Sequence, residues 1–350
     1  MTIGSILLNP VKCVIELFGS NHNRIYRGGF LAGMNLIDPQ VFDPANIDSA
    51  TAELNSKIDK ELSALPPIYT FRPQDIRAAR AAGNSIWGPI RHVAEAQDRM
   101  IAGPAGEISL RVIVPDKVQA VYLHMHGGGF MLGQADHFDE LLNTIAQRCR
   151  AAVVSVDYRL APENPYPAGP DDCEAAAVWL VDNCLAEFGS KKLFIGGESA
   201  GANLAALTLL RMRDRHGFSG FCGAVLTYGV YDLSMTPSAR NWGERNLILT
   251  TNLIRWFNEN YVPSGNYTKP DISPLYADLH GMPAALFTVG TLDPLIDDSL
   301  FMHMRWQAAR NPSELAIYPG GIHAFDAFPI ELARQANTRM TEFINGLAKE

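Results

Sequence analysis

Residues 193–206 read Leu-Phe-Ile-Gly-Gly-Glu-Ser-Ala-Gly-Ala-Asn-Leu-Ala-Ala, an apolar run that enters Gly197-Glu198-Ser199-Ala200-Gly201 and leaves through a helix-favouring stretch. A strand, a sharp turn carrying a serine and then a helix make the context of a nucleophile elbow. Such a turn strains the serine backbone, so small residues must flank it where strand and helix approach closely. Gly197 and Gly201 supply that room. The same geometry lifts the Ser199 hydroxyl clear of the sheet and aims the unpaired N–H groups of a helix N-terminus at any oxyanion that develops there. Taken alone, G-x-S-x-G also fits a glycine-rich turn without chemistry. The strand before it, and Ala200, Ala202, Leu204 and Ala205 after it, favour the catalytic reading.

A serine nucleophile needs oxyanion donors from a second loop. Residues 120–130, Ala-Val-Tyr-Leu-His-Met-His-Gly-Gly-Gly-Phe, run from a buried-strand pattern into three consecutive glycines. Glycine suits that position because backbone N–H groups must face the pocket with no β-carbon in the way, and because the turn needs dihedrals closed to other residues. Gly128, Gly129 and the N–H of Ala200 are therefore the expected oxyanion hole. A merely flexible loop is the alternative reading of the glycines.

The base and its orienting acid are expected downstream of the serine, in the order carboxylate then histidine. Residues 284–297 form an apolar run that reaches Asp293-Pro294, which places Asp293 just beyond a strand with a proline in the turn that follows. Asp297 lies four residues on, where a negative charge also favours a helix N-terminus. Asp293 is the expected acid because the strand end fixes its direction. A last strand from Glu314 leads to Gly320-Gly321-Ile322-His323-Ala324-Phe325, and His323 is the expected general base.

With these motifs in this order, the chain resembles the hormone-sensitive-lipase-like branch (bacterial family IV) of the α/β-hydrolases, which includes many bacterial carboxylesterases. The resemblance is carried by His126-Gly127-Gly128-Gly129, by Gly197-Glu198-Ser199-Ala200-Gly201, by Asp293-Pro294-Leu295-Ile296-Asp297 and by His323-Ala324-Phe325, over roughly residues 100–345. Asp157-Tyr158-Arg159-Leu160-Ala161-Pro162-Glu163, with Pro167 and Asp171-Asp172, also resembles the family's pattern. It reads as scaffold, with a buried ion pair and a proline-fixed turn bracing the active-site face. Glu198 departs from the family, where aspartate or threonine is common. The resemblance implies an N-terminal helical lid and small, water-soluble, short-acyl esters as substrates.

Strand-like runs near 108–114, 120–126, 152–156, 193–196, 223–227, 286–289 and 315–318 alternate with helix-length segments. That rhythm predicts an α/β fold, a mostly parallel central sheet with helices on both faces. Residues 1–99 are expected as an N-terminal helical cap segment, with helices over 48–65 and 74–82, and residues 100–350 as the catalytic domain. A cap insertion is expected near 233–262. Its aromatics, Trp242, Trp256, Phe257 and Tyr261, suit either ordinary core or a substrate wall.

At 350 residues and 47% apolar the chain is long enough to bury about three-quarters of its unfolded surface. A net charge of −8 without clustered basic residues argues against nucleic acid as a partner. Residues 1–18 lack a basic n-region and a small-residue cleavage site, and no run of about 18 apolar residues suggests a span, so no membrane partner and a cytoplasmic location are expected. A homodimer is left open.

Cys13, Cys149, Cys173, Cys184 and Cys222 are scattered and read as reduced apolar residues. His124 and His126 share a strand face, but without a third ligand they make a weak metal site, and one of them better suits a buried, hydrogen-bonded role supporting the oxyanion loop. His22, His92, His137, His216, His280 and His303 have no motif context. The expected chemistry is two-step acyl transfer by a Ser199, His323 and Asp293 triad, without cofactor or metal. An amidase, lactonase or acyltransferase could use the same groups, and a non-catalytic ligand receptor on this fold stays open.

Overall fold

The computed structural model describes residues 37–349. Contacts divide the chain after Pro39, and the fold is that of the unit running from Gln40 onward. The parts of the expected cap segment before residue 37, together with Cys13, His22 and the stretch 1–18, lie outside the described residues.

Two helices come first, α1 (Ser49–Ser63) and α2 (Pro73–Ala81). Asp48 caps α1 by accepting from the Thr51 N–H at 2.9 Å, as Ser, Thr, Asp or Asn do at helix starts. Pro73 opens α2, where its missing N–H costs nothing. Then follow β1 (Gln97–Gly103), β2 (Gly106–Ile113), β3 (Ala120–Met125), α3 (Asp139–Cys149), β4 (Ala151–Asp157), α4 (Ala168–Phe188), β5 (Leu193–Glu198) and α5 (Ala200–His216). The chain continues through β6 (Phe221–Thr227), α6 (Pro237–Asn241), α7 (Thr251–Tyr261), β7 (Ala284–Leu292), α8 (Ile296–Ala308), β8 (Ser313–Ile322) and α9 (Glu331–Ala348).

The strands form one sheet in the order β1-β2-β4-β3-β5-β6-β7-β8. From β4 to β8 every pairing is parallel, and β1 and β2 are antiparallel at one edge. The interior strands are buried on both faces, which explains why they read as unbroken apolar runs. Alternation still sorts their side chains. Tyr122, Val153, Phe194, Val225 and Leu286 pack with Leu142 and Ile145 of α3 and Met340 and Ile344 of α9. Val121, Leu123, Val154, Ile195, Ala224 and Phe287 join α4, α5 and α8 on the other side. The sheet thus has a helical layer on each face, as expected.

The seven expected strands are all present, most of them longer than their sequence signal. The additional strand is β1, which straddles the boundary expected at residues 99–100. Only Ile101 of β1 is buried, so this edge strand offers no apolar run to detect. Among the described residues no helix is long and apolar enough to cross a membrane.

Candidate active site

The groups singled out in the sequence all sit at the carboxyl ends of parallel strands, where open α/β sheets carry their ligand crevices. Gly127–Gly129 follow β3, Ser199 follows β5, Asp293 follows β7 and His323 follows β8. Ser199 has φ +57° and ψ −118°, the strained turn expected between strand and helix, and its N–H is held by the Thr227 carbonyl at 2.9 Å. A β-carbon on Gly197 or on Gly201 would overlap the Met125 carbonyl, so both glycines are required by close backbone approach.

His323 Nε2 lies 2.9 Å from Ser199 Oγ, and His323 Nδ1 lies 2.8 Å from Asp293 Oδ2. Asp293 is fully buried, and its second oxygen accepts the Leu295 N–H at 2.8 Å. The carboxylate therefore fixes Nδ1 as the protonated nitrogen and leaves Nε2 to accept from the serine hydroxyl. Asp297 goes elsewhere, accepting from the Ser238 N–H at 2.8 Å at the start of α6. Its neighbour Asp298 is fully buried and binds the Tyr231 and Asp232 N–H groups at 2.7 and 2.8 Å and the Thr236 hydroxyl at 2.7 Å. Burial pushes its carboxyl up to about 7 despite these bonds.

The glycine loop has the conformation the oxyanion reading requires. Gly128 has φ +127° and Gly129 φ +60°. A β-carbon would overlap the Leu132 carbonyl at the first and the Phe257 ring at the second. Among the described residues the N–H groups of Gly128, Gly129 and Ala200 donate to nothing. Three free donors thus converge on the loop and helix end beside Ser199.

Several elements brace that loop. The Tyr158 hydroxyl donates to the His126 carbonyl at 2.7 Å, and the Ala161 N–H donates to the Phe130 carbonyl at 2.9 Å. Arg77 of α2 donates to the Met131 carbonyl at 2.9 Å and pairs with Glu163. Phe130 stacks on Tyr261 of α7 at 3.8 Å between ring centres. The expected ion pair is present: Arg159 meets Asp172 through Nε and Nη2, both at 2.8 Å.

Both strand histidines are fully buried. His126 Nδ1 donates to the Gly127 carbonyl at 2.9 Å, which supports the glycine loop, and burial pushes the ring down to about 3, so it stays neutral. His124 has a different part. Its Nε2 lies 2.9 Å from Glu198 Oε2 and its Nδ1 2.7 Å from Ser155 Oγ, a buried chain reaching the residue before the serine. In the sequence Glu198 stands out only as a departure from the family pattern, because a partner 74 positions away leaves no local signal.

A second pair has no signature in the sequence. The Tyr228 ring stands edge-on to His323 at 4.8 Å, and its hydroxyl donates to Asp326 at 2.7 Å. Burial pushes Asp326 up to about 6.

A cavity of about 1400 Å³ takes in Ser199, His323, Gly128 and Gly129. Its walls come from residues of α1, α2 and the connection to residue 91, and from Leu249, Ile254 and Phe257 around α7. Of the four insertion aromatics, Phe257 lines this cavity. Tyr261 is buried core beneath Phe130, and Trp242 and Trp256 pack at the edge of the core.

A model of the alpha/beta hydrolase fold family matches residues 122–327. The chain belongs to that α/β-hydrolase family. Among curated relatives, this hydrolase is 35% identical over 265 residues to the carboxylic ester hydrolase LipN of Mycobacterium tuberculosis, covering 72% of this chain and 70% of that one. It is 32% identical over 230 residues to an acetyl esterase of Salmonella schwarzengrund, covering 63% and 70%. A solved hormone-sensitive lipase from a metagenome library superposes with a TM-score of 0.76 at 26% identity, over 86% of this hydrolase and 99% of that chain.

Proposed function

We propose that this hydrolase is a serine carboxylesterase in which Ser199 is the nucleophile, His323 the general base and Asp293 the acid that orients it. The observation carrying the reading is the continuous hydrogen-bonded line from Ser199 Oγ through the His323 ring to the buried Asp293 carboxylate. His323 Nε2 takes the serine proton as Oγ attacks the ester carbonyl. The N–H groups of Gly128, Gly129 and Ala200 bind the tetrahedral oxyanion, each such donor worth about 10²–10³ in rate. His323 then protonates the leaving alcohol, and water repeats the cycle to release the acid. All of these groups come from one chain, so the chemistry does not require a homodimer.

Short acyl groups are the proposed substrates, because the Phe257 ring lies directly against Gly129 and limits room beside the oxyanion donors. The acetyl-esterase relative supports the same preference. The cap is part of this proposal. Of the expected segment 1–99, the residues from Gln40 to Arg99 and the insertion near 233–262 would form it over a catalytic domain at 100–350, supported by the cavity walls that both stretches supply. Cytoplasmic residence is supported by Cys149, Cys173, Cys184 and Cys222, which are free thiols.

Hydrolysis of p-nitrophenyl esters from acetyl to palmitoyl, beside Ser199→Ala, tests the reading. The expected result is a maximum at the short chains that vanishes in the variant. A tenth of wild-type turnover surviving in Ser199→Ala would sink the nucleophile, and a maximum at long chains would sink the short-acyl preference.

A further inference from the structure

Arg80 of α2 lines the same cavity as Ser199, its guanidinium 6.0 Å from the Trp87 ring centre. Among the described residues it makes no hydrogen bond and no ion pair. Arg77, one turn earlier, already makes the structural contacts of this helix, to Met131 and Glu163. Two of the acidic groups nearby are engaged with others. Asp139 is taken by Arg111 at 2.6 Å and by the Val93 N–H at 2.9 Å, and Glu140 by Arg91 at 3.3 Å. Asp136 is different: its Oδ2 stands 3.7 Å from His92, its buried Oδ1 has no hydrogen-bond partner, and its charge acts on Arg80 without a bonded contact.

Two side chains with unpartnered polar atoms line the same cavity as this cation. His137 also lines the cavity, with a side chain 4% exposed and no hydrogen bond to either ring nitrogen. Its Nε2 is 3.8 Å from Asp136 Oδ1, too far to bond. The buried Ser85 hydroxyl, on the same wall, also has no partner. Buried polar groups are normally satisfied, and a desolvated cation without a hydrogen-bonded counter-charge is unfavourable. Burial accordingly pushes the Arg80 guanidinium below its ordinary value. A bound anion would relieve that cost and satisfy all three side chains. His137 is lowered to about 4 by burial and stays neutral, so it can offer one N–H.

We propose that Arg80, His137 and Ser85 form a subsite for a free carboxylate carried by the substrate, so that the preferred esters are half-esters of dicarboxylic acids. The position of the ester group itself rests on the serine esterase reading. Arg80 would supply the planar fork that matches a carboxylate, and Ser85 and His137 would supply neutral donors around it.

The test is equilibrium titration of the Ser199→Ala protein, which cannot turn substrate over. The ligands are the monoethyl esters of succinate, glutarate and adipate, each against the ethyl ester of the same length without the terminal carboxylate. At least one half-ester should bind about tenfold or more tightly than its neutral match, the size expected for a charge-assisted contact. Adding Arg80→Gln should erase the difference, and Arg80→Lys should restore part of it. Equal binding of both series, or a preference that survives in Arg80→Gln, overturns the subsite. Wild-type protein is assayed for hydrolysis of the same ligands in parallel. Hydrolysis of neutral esters with no carboxylate preference in binding removes the subsite and keeps the esterase, whereas Arg80-dependent carboxylate binding without hydrolysis of any ester removes the esterase and keeps the subsite.

Discussion

Glu198 and His124 meet at 2.9 Å inside the sheet, with the far side of the histidine ring held by Ser155. This pairing ties the residue before the nucleophile to β3, the strand that delivers the glycine loop. Removing one member of a buried, hydrogen-bonded pair leaves the other desolvated and unpaired, at about 3–5 kcal/mol. Glu198→Ala is therefore expected to lower stability by roughly that amount, while Glu198→Gln, which can still accept from His124, should lose less than half as much. Urea unfolding of the two variants measures it. Equal losses would mean that the carboxylate charge, and not the hydrogen bond, holds the pair together.

Three acids follow β7 and have three separate partners. Asp293 reaches His323, Asp297 the Ser238 N–H, and Asp298 the backbone at Tyr231 and Asp232. Asp293→Asn should cut kcat by about 10³–10⁴ with the fold intact, because the amide favours the wrong imidazole tautomer. Asp297→Asn should keep activity within a few-fold. Steady-state kinetics on one short ester decides, and a larger loss at Asp297 would reverse the assignment of the acid.

Motifs bound to a local backbone shape were legible in the sequence. The elbow at Ser199 and the turn at Gly128-Gly129 need glycine at fixed offsets, and the structure shows the carbonyls and the ring that exclude a β-carbon there. The parallel strands were legible because burial on both faces makes them apolar throughout. What was missed has the opposite character. Strand β1 is mostly exposed, and Tyr228 with Asp326 lies 98 residues apart in the chain. His137 looked like a histidine without context, yet it lines the cavity unpartnered because α3 and the glycine loop fold together. Pairings of this kind depend on topology, and no window of sequence contains them.

Gly129→Ala tests the oxyanion loop more sharply than a distant substitution. The residue has φ +60°, and the added methyl would meet the Phe257 ring, so the loop must shift to accommodate it. A displaced donor is expected to cost about 10²–10³ in kcat. Gly243→Ala is the control, since φ is also positive at +78° but nothing lies within 4 Å of the new methyl. It should destabilise by about 1 kcal/mol and leave kcat unchanged. A kcat loss of similar size in both would assign the effect to general strain and not to the donors.

Asp298 gives stability a pH dependence of definite sign. Burial raises its carboxyl from 3.8 to about 7 in the folded protein, so between those values the native state holds a proton that the unfolded chain releases. The stabilisation this group contributes is complete below pH 3.8 and is lost as pH rises through about 7. Asn in its place stays neutral at every pH, can accept the Tyr231 and Asp232 N–H groups through its carbonyl, and can donate to Thr236 through its amide. Asp298→Asn is therefore expected to match the wild type in Tm near pH 4 and to exceed it by several degrees near pH 8. Thermal unfolding of both proteins across that range checks the sign. A variant less stable than the wild type at pH 8 would show instead that the ionised carboxylate, held by its three donors, outweighs its own desolvation.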